Sequence, residues 1–190
     1  VYGYCYYNTT KGAMKSLHLG NNKIPAGNKN QIIASVEAQP AMKVLCAVPF
    51  RDKTITELDV SGQSLGVEGA FVISRYLENN GAMVSANLLH NSIGIEQAQN
   101  LATVLKEHPT LQSLCGNQGN ETELDMSGKK IGADGAIMLA PEIVANGALA
   151  TVTMNECPLP IQDIKTKAQL NFADKALQVE DAIVIAALIP

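Results

Sequence analysis

The sequence predicts an α/β solenoid, a stack of strand–turn–helix units, and three observations support this prediction. Near-identical segments recur, since residues 58–66 read LDVSGQSLG and residues 124–132 read LDMSGKKIG. At the start of each segment apolar and polar residues alternate, as they do in a half-buried strand. Apolar residues then return at helical spacing. Self-similarity of this kind is typical of repeat architectures.

The composition suits thin repeated layers and argues against one class of partner. The chain has 190 residues, of which 46% are hydrophobic but only 4% aromatic, and it contains no Trp. Its net charge is −4, and its longest basic run is Lys129-Lys130. Nucleic-acid binding needs a clustered basic surface. We therefore expect no nucleic-acid partner.

The cysteines indicate reduced thiols. Four are present, widely separated and without CxxC spacing: Cys5, Cys46, Cys115 and Cys157. Such a pattern favours neither a zinc site nor a disulfide scaffold. The default expectation is an intracellular, cytoplasmic location.

No segment predicts a signal peptide or a membrane span. The longest wholly apolar run, residues 182–189, falls short of the roughly 20 residues that a spanning helix needs. The sequence starts at Val1 and stops just after that run, which suggests that both ends are cut from a longer polypeptide. Targeting to an organelle therefore stays open.

Further copies of the repeat are regularly spaced. Residues 16–24 and 86–94 follow the same pattern, and residues 152–159 and 170–177 are weaker copies. Four pairs of equivalent positions lie 28 residues apart: Leu17 and Leu45, Leu58 and Ala86, Ala86 and Leu114, and Leu124 and Val152. These segments resemble the leucine-rich repeat, L-x-x-L-x-L-x-x-N/C-x-L. The period is similar to that of the ribonuclease-inhibitor-like class, which also occurs in NOD-like receptors and large protist proteins.

The resemblance implies a horseshoe segment over residues 14–190, with parallel strands on its concave face and helices on its convex face. It further implies that this array is part of a longer chain. It says little about function, because one fold hosts many functions.

Within one unit, strand alternation separates core residues from outward residues. Leu58 and Val60 are expected to point into the core. The side chains around them then point outward: Glu57, Asp59 and Ser61.

The Asn position of the pattern normally buries a side chain whose amide bonds turn backbone groups. Three units carry a suitable residue there: Asn22, Asn91 and Cys157. Three others carry Gln63, Lys129 and Lys175. An unpaired ammonium would not stay buried, so we expect these three to turn toward solvent.

Four stretches have a helical apolar face, each beginning with Ala. The faces are Ala70, Ile73 and Leu77; Ala98, Leu101 and Leu105; Ala136, Leu139 and Ile143; and Ala182, Ile185 and Ile189. Two gaps are too short for a helix, because Leu58 follows Leu45 by 13 residues and Leu124 follows Leu114 by 10. We expect bare loops there.

No motif indicates catalysis. The chain lacks the P-loop, dinucleotide-binding, nucleophile-elbow and zincin motifs. Its three histidines, His18, His90 and His108, are scattered. We expect no catalytic residues, no metal and no cofactor.

The outward strand residues are the candidate partner-binding surface: Glu57, Asp59, Ser61, Ser85, Asn87, Leu89, Glu123, Asp125 and Ser127. Leu89 is the one large apolar side chain in that set. The acidic residues suit a basic or polar partner, and a solvated face explains them equally well. Tyr2 and Tyr4, within the Tyr-rich flank of residues 1–13, either cap the first repeat or anchor a partner.

The sequence thus favours a non-enzymatic module that binds another protein through its concave face. The alternative is a structural or accessory subunit or spacer, held permanently in a large multiprotein assembly such as one at a membrane.

Overall fold

The computed structural model describes residues 14–189. Six helices lie in this part of the chain: α1 (Ala26–Glu37), α2 (Gly66–Glu78), α3 (Ile95–Glu107), α4 (Gly132–Ala145), α5 (Ile161–Thr166) and α6 (Val179–Leu188). The strands are β1 (Ser16–Leu17), β2 (Val44–Leu45), β3 (Glu57–Asp59), β4 (Ser85–Asn87), β5 (Glu123–Asp125), β6 (Thr151–Thr153) and β7 (Pro158–Pro160). The predicted flank of residues 1–13, with Tyr2 and Tyr4, lies outside the described residues.

The strands form three small sheets, and the predicted solenoid is therefore wrong. β1 pairs with β2, β3 pairs with β4, and β6 lies between β5 and β7. The first two sheets and the β5–β6 pair are parallel, but β7 is antiparallel to β6. No continuous parallel sheet lines a concave face over the described residues, and the fold is mixed α/β. Within the parallel pairs, the register joins residues 28 apart, such as Glu57 with Ser85.

The first interruption follows β2, where the chain turns back on itself. The Leu45 N–H donates to the Val48 carbonyl and the Val48 N–H donates to the Leu45 carbonyl, each at 2.9 Å. Cys46 and Ala47 make this tight turn with φ of 49° and 62°, the left-handed region. Because Leu45 bonds within its own turn, β2 does not pair with β3.

The second interruption lies beyond β4, where only isolated bridges join Ser85 to Ser113 and Asn87 to Cys115. The buried Glu142 carboxylate of α4 accepts hydrogen bonds from the backbone of this segment. Its Oε1 accepts from the Leu114 N–H at 2.7 Å and from the Cys115 N–H at 3.2 Å. These amides are therefore occupied by a side chain and do not extend the ladder to β5.

The third sheet ends at a proline edge. Leu159 of β7 pairs with Val152 of β6, and its neighbours Pro158 and Pro160 have no N–H with which to bind another strand. Residues 170–172, a weak copy of the repeat, form no strand.

The helices form a layer that covers the core. α2 packs against α3, α3 against α4, and α4 against α6. The predicted apolar faces of α2, α3 and α4 are confirmed, since their members are all buried: Ala70, Ile73, Leu77, Ala98, Leu101, Leu105, Ala136, Leu139 and Ile143. The predicted bare loops are also confirmed, because no helix lies between β2 and β3 or between residues 114 and 124.

The predicted face of α6 is wrong by one position. Ala182 and Ile189 are exposed, whereas Val184 and Leu188 are buried. The helix start explains the shift, because Gln178 and Asp181 form a reciprocal capping box. That cap places the Asp181 side chain in the interior and thereby sets which residues of α6 face the core.

The Asn position behaves differently from unit to unit. Asn91 is buried, and its Nδ2 donates to the Val60 and Leu88 carbonyls at 2.8 and 2.9 Å. Asn22 was expected to be buried but is exposed. Cys157 is half-buried. The prediction that three side chains turn toward solvent is confirmed for Gln63, Lys129 and Lys175.

Candidate functional site

The outward residues of β3 to β6 form an acidic strand surface. It consists of Glu57, Asp59, Ser85, Asn87, Glu123, Asp125, Thr151 and Thr153. Parallel register places Glu57 beside Ser85 and Asp59 beside Asn87 in one patch. In the second patch, Glu123 lies beside Thr151 and Asp125 beside Thr153. All four carboxylate side chains are exposed, so each patch pairs two acids with short polar neighbours.

The first patch is held in place by its own turn. Asp59 Oδ1 accepts from the Ser61 N–H at 2.9 Å, and Asp59 Oδ2 lies 3.4 Å from Asn87 Nδ2. The Ser61 N–H stabilises the charged form and lowers the pKa of Asp59. Asn87 Oδ1 in turn accepts from the Leu89 N–H at 3.3 Å. The Asp59 carboxylate is therefore charged and fixed in direction.

The second patch repeats this arrangement. Asp125 Oδ1 accepts from the Ser127 N–H at 2.8 Å, which lowers the pKa of Asp125. Ser127 Oγ donates to the Asn155 carbonyl at 3.0 Å. Among the described residues, Glu57 and Glu123 have no hydrogen-bond partner for their side chains, so these carboxylates are available for contact from outside.

One predicted contact residue, Leu89, is buried rather than exposed. Only 4% of its surface is accessible. β4 ends at Asn87, so strand alternation does not extend to Leu89. Its Cδ2 lies 3.2 Å from where a Cβ on Gly135 would stand, which places Leu89 against the first turn of α4. The strand surface therefore has no large apolar centre. Of the predicted serines, Ser61 and Ser85 are half-buried and Ser127 is exposed.

A cleft that was not predicted opens beside the second patch. It has a volume of about 1020 Å³ and lies between the β6–β7 turn and residues 170–180. β7 occupies the free edge of β6, so residues 170–172 cannot pair there and a gap is left. Ser127, whose N–H binds Asp125 of the second patch, lines the cleft as well, so the cleft adjoins the strand surface. The sequence signal for it was the pair Pro158 and Pro160, which stop a sheet edge.

A buried carboxyl group stands behind one wall of the cleft. Asp181 is fully buried, and its Oδ2 accepts from Asn155 Nδ2 at 2.9 Å and from the Gln178 N–H at 2.8 Å. Both donors line the cleft. Asp181 Oδ1 is buried without a hydrogen-bond partner among the described residues, which is an unusual state for a native polar atom.

The described cysteines are free, and they differ in access. Cys46 and Cys115 are buried, whereas Cys157 is half-buried and lines the cleft. Burial raises the pKa of the Cys46 thiol and raises that of Cys115 well above its usual range. Thiolate is the reactive form of cysteine, so these two thiols are poor nucleophiles.

We expect Cys157 to react with a disulfide reagent in the native chain, and Cys46 and Cys115 to react only after unfolding. Thiol release would be followed by absorbance in a Cys5→Ser background, and the labelled peptide identified by mass spectrometry. Labelling of Cys115 as fast as Cys157 under native conditions would contradict the described burial.

No group of His, Cys, Asp and Glu side chains within residues 14–189 is arranged to hold a metal ion. No helix among those residues is long and apolar enough to cross a membrane. Comparisons with protein-family models, curated proteins and solved structures find no match to the chain.

Proposed function

We propose that the chain is a non-enzymatic module that binds another protein through the acidic strand surface. The observation that carries this proposal is the in-register placement of exposed carboxylates beside short polar side chains in both patches. A basic or polar partner segment complements such a surface, because opposite charges steer encounter and fix register.

The fixed geometry of the patches supports recognition. Asp59 and Asp125 are each held by a backbone N–H. A side chain that is already ordered loses little conformational entropy on binding. The patches therefore present hydrogen-bond acceptors in fixed positions, as a specific interface needs.

We propose no catalytic role for the histidines. His18 Nε2 lies 2.9 Å from the Gln63 carbonyl, and His108 Nε2 lies 3.1 Å from the Asn80 carbonyl. Each ring thus joins two loops of the fold.

The leucine-rich-repeat resemblance of the segments stays a proposal. The described cysteines are free thiols, which supports an intracellular setting.

The alternative, a subunit held permanently in an assembly, is favoured by a different observation. Val67 is 38% exposed at the second position of α2, and Ile95 is 56% exposed at the first position of α3. A Cβ on Gly94 would lie 3.6 Å from Val67 Cγ2, so the two units adjoin there. Two neighbouring apolar side chains at helix starts suit a contact made through the helices instead of the strands.

The first test replaces the four carboxylates together: Glu57→Gln, Asp59→Asn, Glu123→Gln and Asp125→Asn. These changes keep oxygen acceptors for the two turns, so we expect the fold to persist and partner binding to weaken through a slower, salt-sensitive on-rate. The partner would be identified by pull-down with cross-linking mass spectrometry, and association measured by surface plasmon resonance.

The matched control removes the same charge from exposed helix positions. It carries Glu37→Gln, Glu78→Gln, Glu96→Gln and Glu107→Gln. We expect this control to bind as the native chain does. Equal affinity of the strand variant and the native chain at low salt would remove the acidic-surface proposal and favour the permanent subunit.

A further inference from the structure

We propose that the cleft between the β6–β7 turn and residues 170–180 binds an extended basic segment of the partner protein. This rests on the proposed function and extends it, since it names a second contact and the chemistry of what enters. Ser127 belongs both to the predicted strand residues and to the cleft lining. A segment crossing the second patch can therefore continue into the cleft.

The charge of the lining favours a cationic occupant. Three carboxylate residues, Glu156, Asp174 and Glu180, line the cleft, against one ammonium group, Lys175. A positively charged segment is therefore attracted to the cleft, and a negatively charged segment is repelled.

The walls also offer more acceptors than donors. Pro158 and Pro160 line the cleft, and neither residue has an N–H to donate. Lys and Arg side chains carry only donors, and Arg carries five in a fixed fork. A wall rich in acceptors selects such side chains over Asp, Glu or Asn.

Apolar groups within the cleft suit the stems of these side chains. Leu170 is 39% exposed, and Phe172 lines the same space. Long basic side chains bury their methylene stems against apolar surface, and an aromatic face attracts a cation. The volume of about 1020 Å³ stands at the upper limit of small-molecule pockets. An open cleft of that size suits a peptide segment.

The probe for this proposal is a displayed library of random 12-residue peptides, selected on the native chain at low salt. We expect selected peptides to be enriched in Arg and Lys around an apolar residue. Their affinity, measured by fluorescence anisotropy, should fall roughly tenfold or more in the cleft variant Glu156→Gln, Asp174→Asn and Glu180→Gln. Asn at position 174 tolerates the left-handed φ of 56° found there. Bound peptide should also slow labelling of Cys157.

The control variant, Glu78→Gln, Glu96→Gln and Glu107→Gln, removes the same charge from the helices and should leave peptide affinity unchanged. If peptide affinity falls only in the strand variant, and bound peptide does not protect Cys157, the cleft proposal is overturned and the proposed function stands. If peptide affinity falls in neither variant, the result contradicts both the cleft proposal and the proposed function. A selection that yields no basic peptides would overturn the cleft proposal.

Discussion

Replacement of Glu142 by Leu should lower the free energy of unfolding by about 2–5 kcal/mol, because it leaves buried donors without an acceptor. The Glu142 carboxylate accepts from four groups: the Ser113 hydroxyl at 2.9 Å, the Leu114 N–H at 2.7 Å, the Cys115 N–H at 3.2 Å and Asn117 Nδ2 at 2.7 Å. Glu142 is 8% exposed, and three of its donor residues, Ser113, Leu114 and Cys115, are buried with it. Urea denaturation would measure the change.

Glu142→Gln is the matched control. Its remaining oxygen still accepts from the Leu114 and Cys115 amides, so we expect a smaller loss, of about 1 kcal/mol. Hydrogen exchange at these two amides should accelerate strongly in the Leu variant and little in the Gln variant. Unchanged exchange in Glu142→Leu would show that the carboxylate does not hold this segment.

The same residue gives the stability of the chain a pH dependence. Burial raises the pKa of Glu142 above its usual value, although the Leu114 N–H and the other hydrogen bonds oppose this. The folded chain thus holds the proton more tightly than the unfolded chain does. The associated stability is present below the unfolded pKa and is lost as pH rises through the folded pKa. The native chain should lose stability relative to Glu142→Gln over that window.

Local periodicity was sufficient to predict the features that depend on neighbouring residues. The helical faces of α2, α3 and α4 follow from spacing alone, because residues three and four apart share a face. The strand residues Glu57 and Asp59 are outward for a similar reason, since alternation has a period of two. These features need no knowledge of what lies elsewhere in the chain.

Continuity of the sheet could not be predicted this way, because distant groups decide it. The break after residue 114 depends on Glu142, which reaches back 28 residues from α4 to Leu114. The helix carrying Glu142 also has a regular apolar face, so nothing in the spacing distinguishes this residue from a solvated Glu. A repeat pattern shows which segments are alike, but a single buried carboxylate prevents two of them from pairing.

The missed site residues have related causes. Leu89 follows the end of β4, where alternation no longer applies, and Gly135 of α4 leaves space for it. Asp181 turns inward because of a cap. The cleft arises from a strand that reverses at Pro158 and takes the edge of β6. Each case depends on how one element ends, and element boundaries are the least reliable feature of a sequence reading.

Leu88→Ala should destabilise the chain by about 2–5 kcal/mol, the range for a large-to-small change in a packed core. Leu88 is 1% exposed, and its N–H donates to the Leu114 carbonyl at 2.9 Å. The side chain therefore lies in the core where β4 meets residues 113–115. Urea denaturation of the native chain and the variant would measure the loss.

Leu58→Ala is the matched comparison, because it makes the same chemical change at a β3 residue that alternation predicted to point into the core. Leu58 is only half-buried and packs at the margin of the core. Truncation of Leu58 removes less buried surface, and its neighbours can relax toward the space that is left. The free energy of unfolding should therefore fall by about half as much as in Leu88→Ala, or less. Equal losses would mean that both leucines are enclosed to the same degree, which would contradict the half-burial of Leu58. A neutral Leu88→Ala would contradict the burial of this side chain where the chain leaves β4.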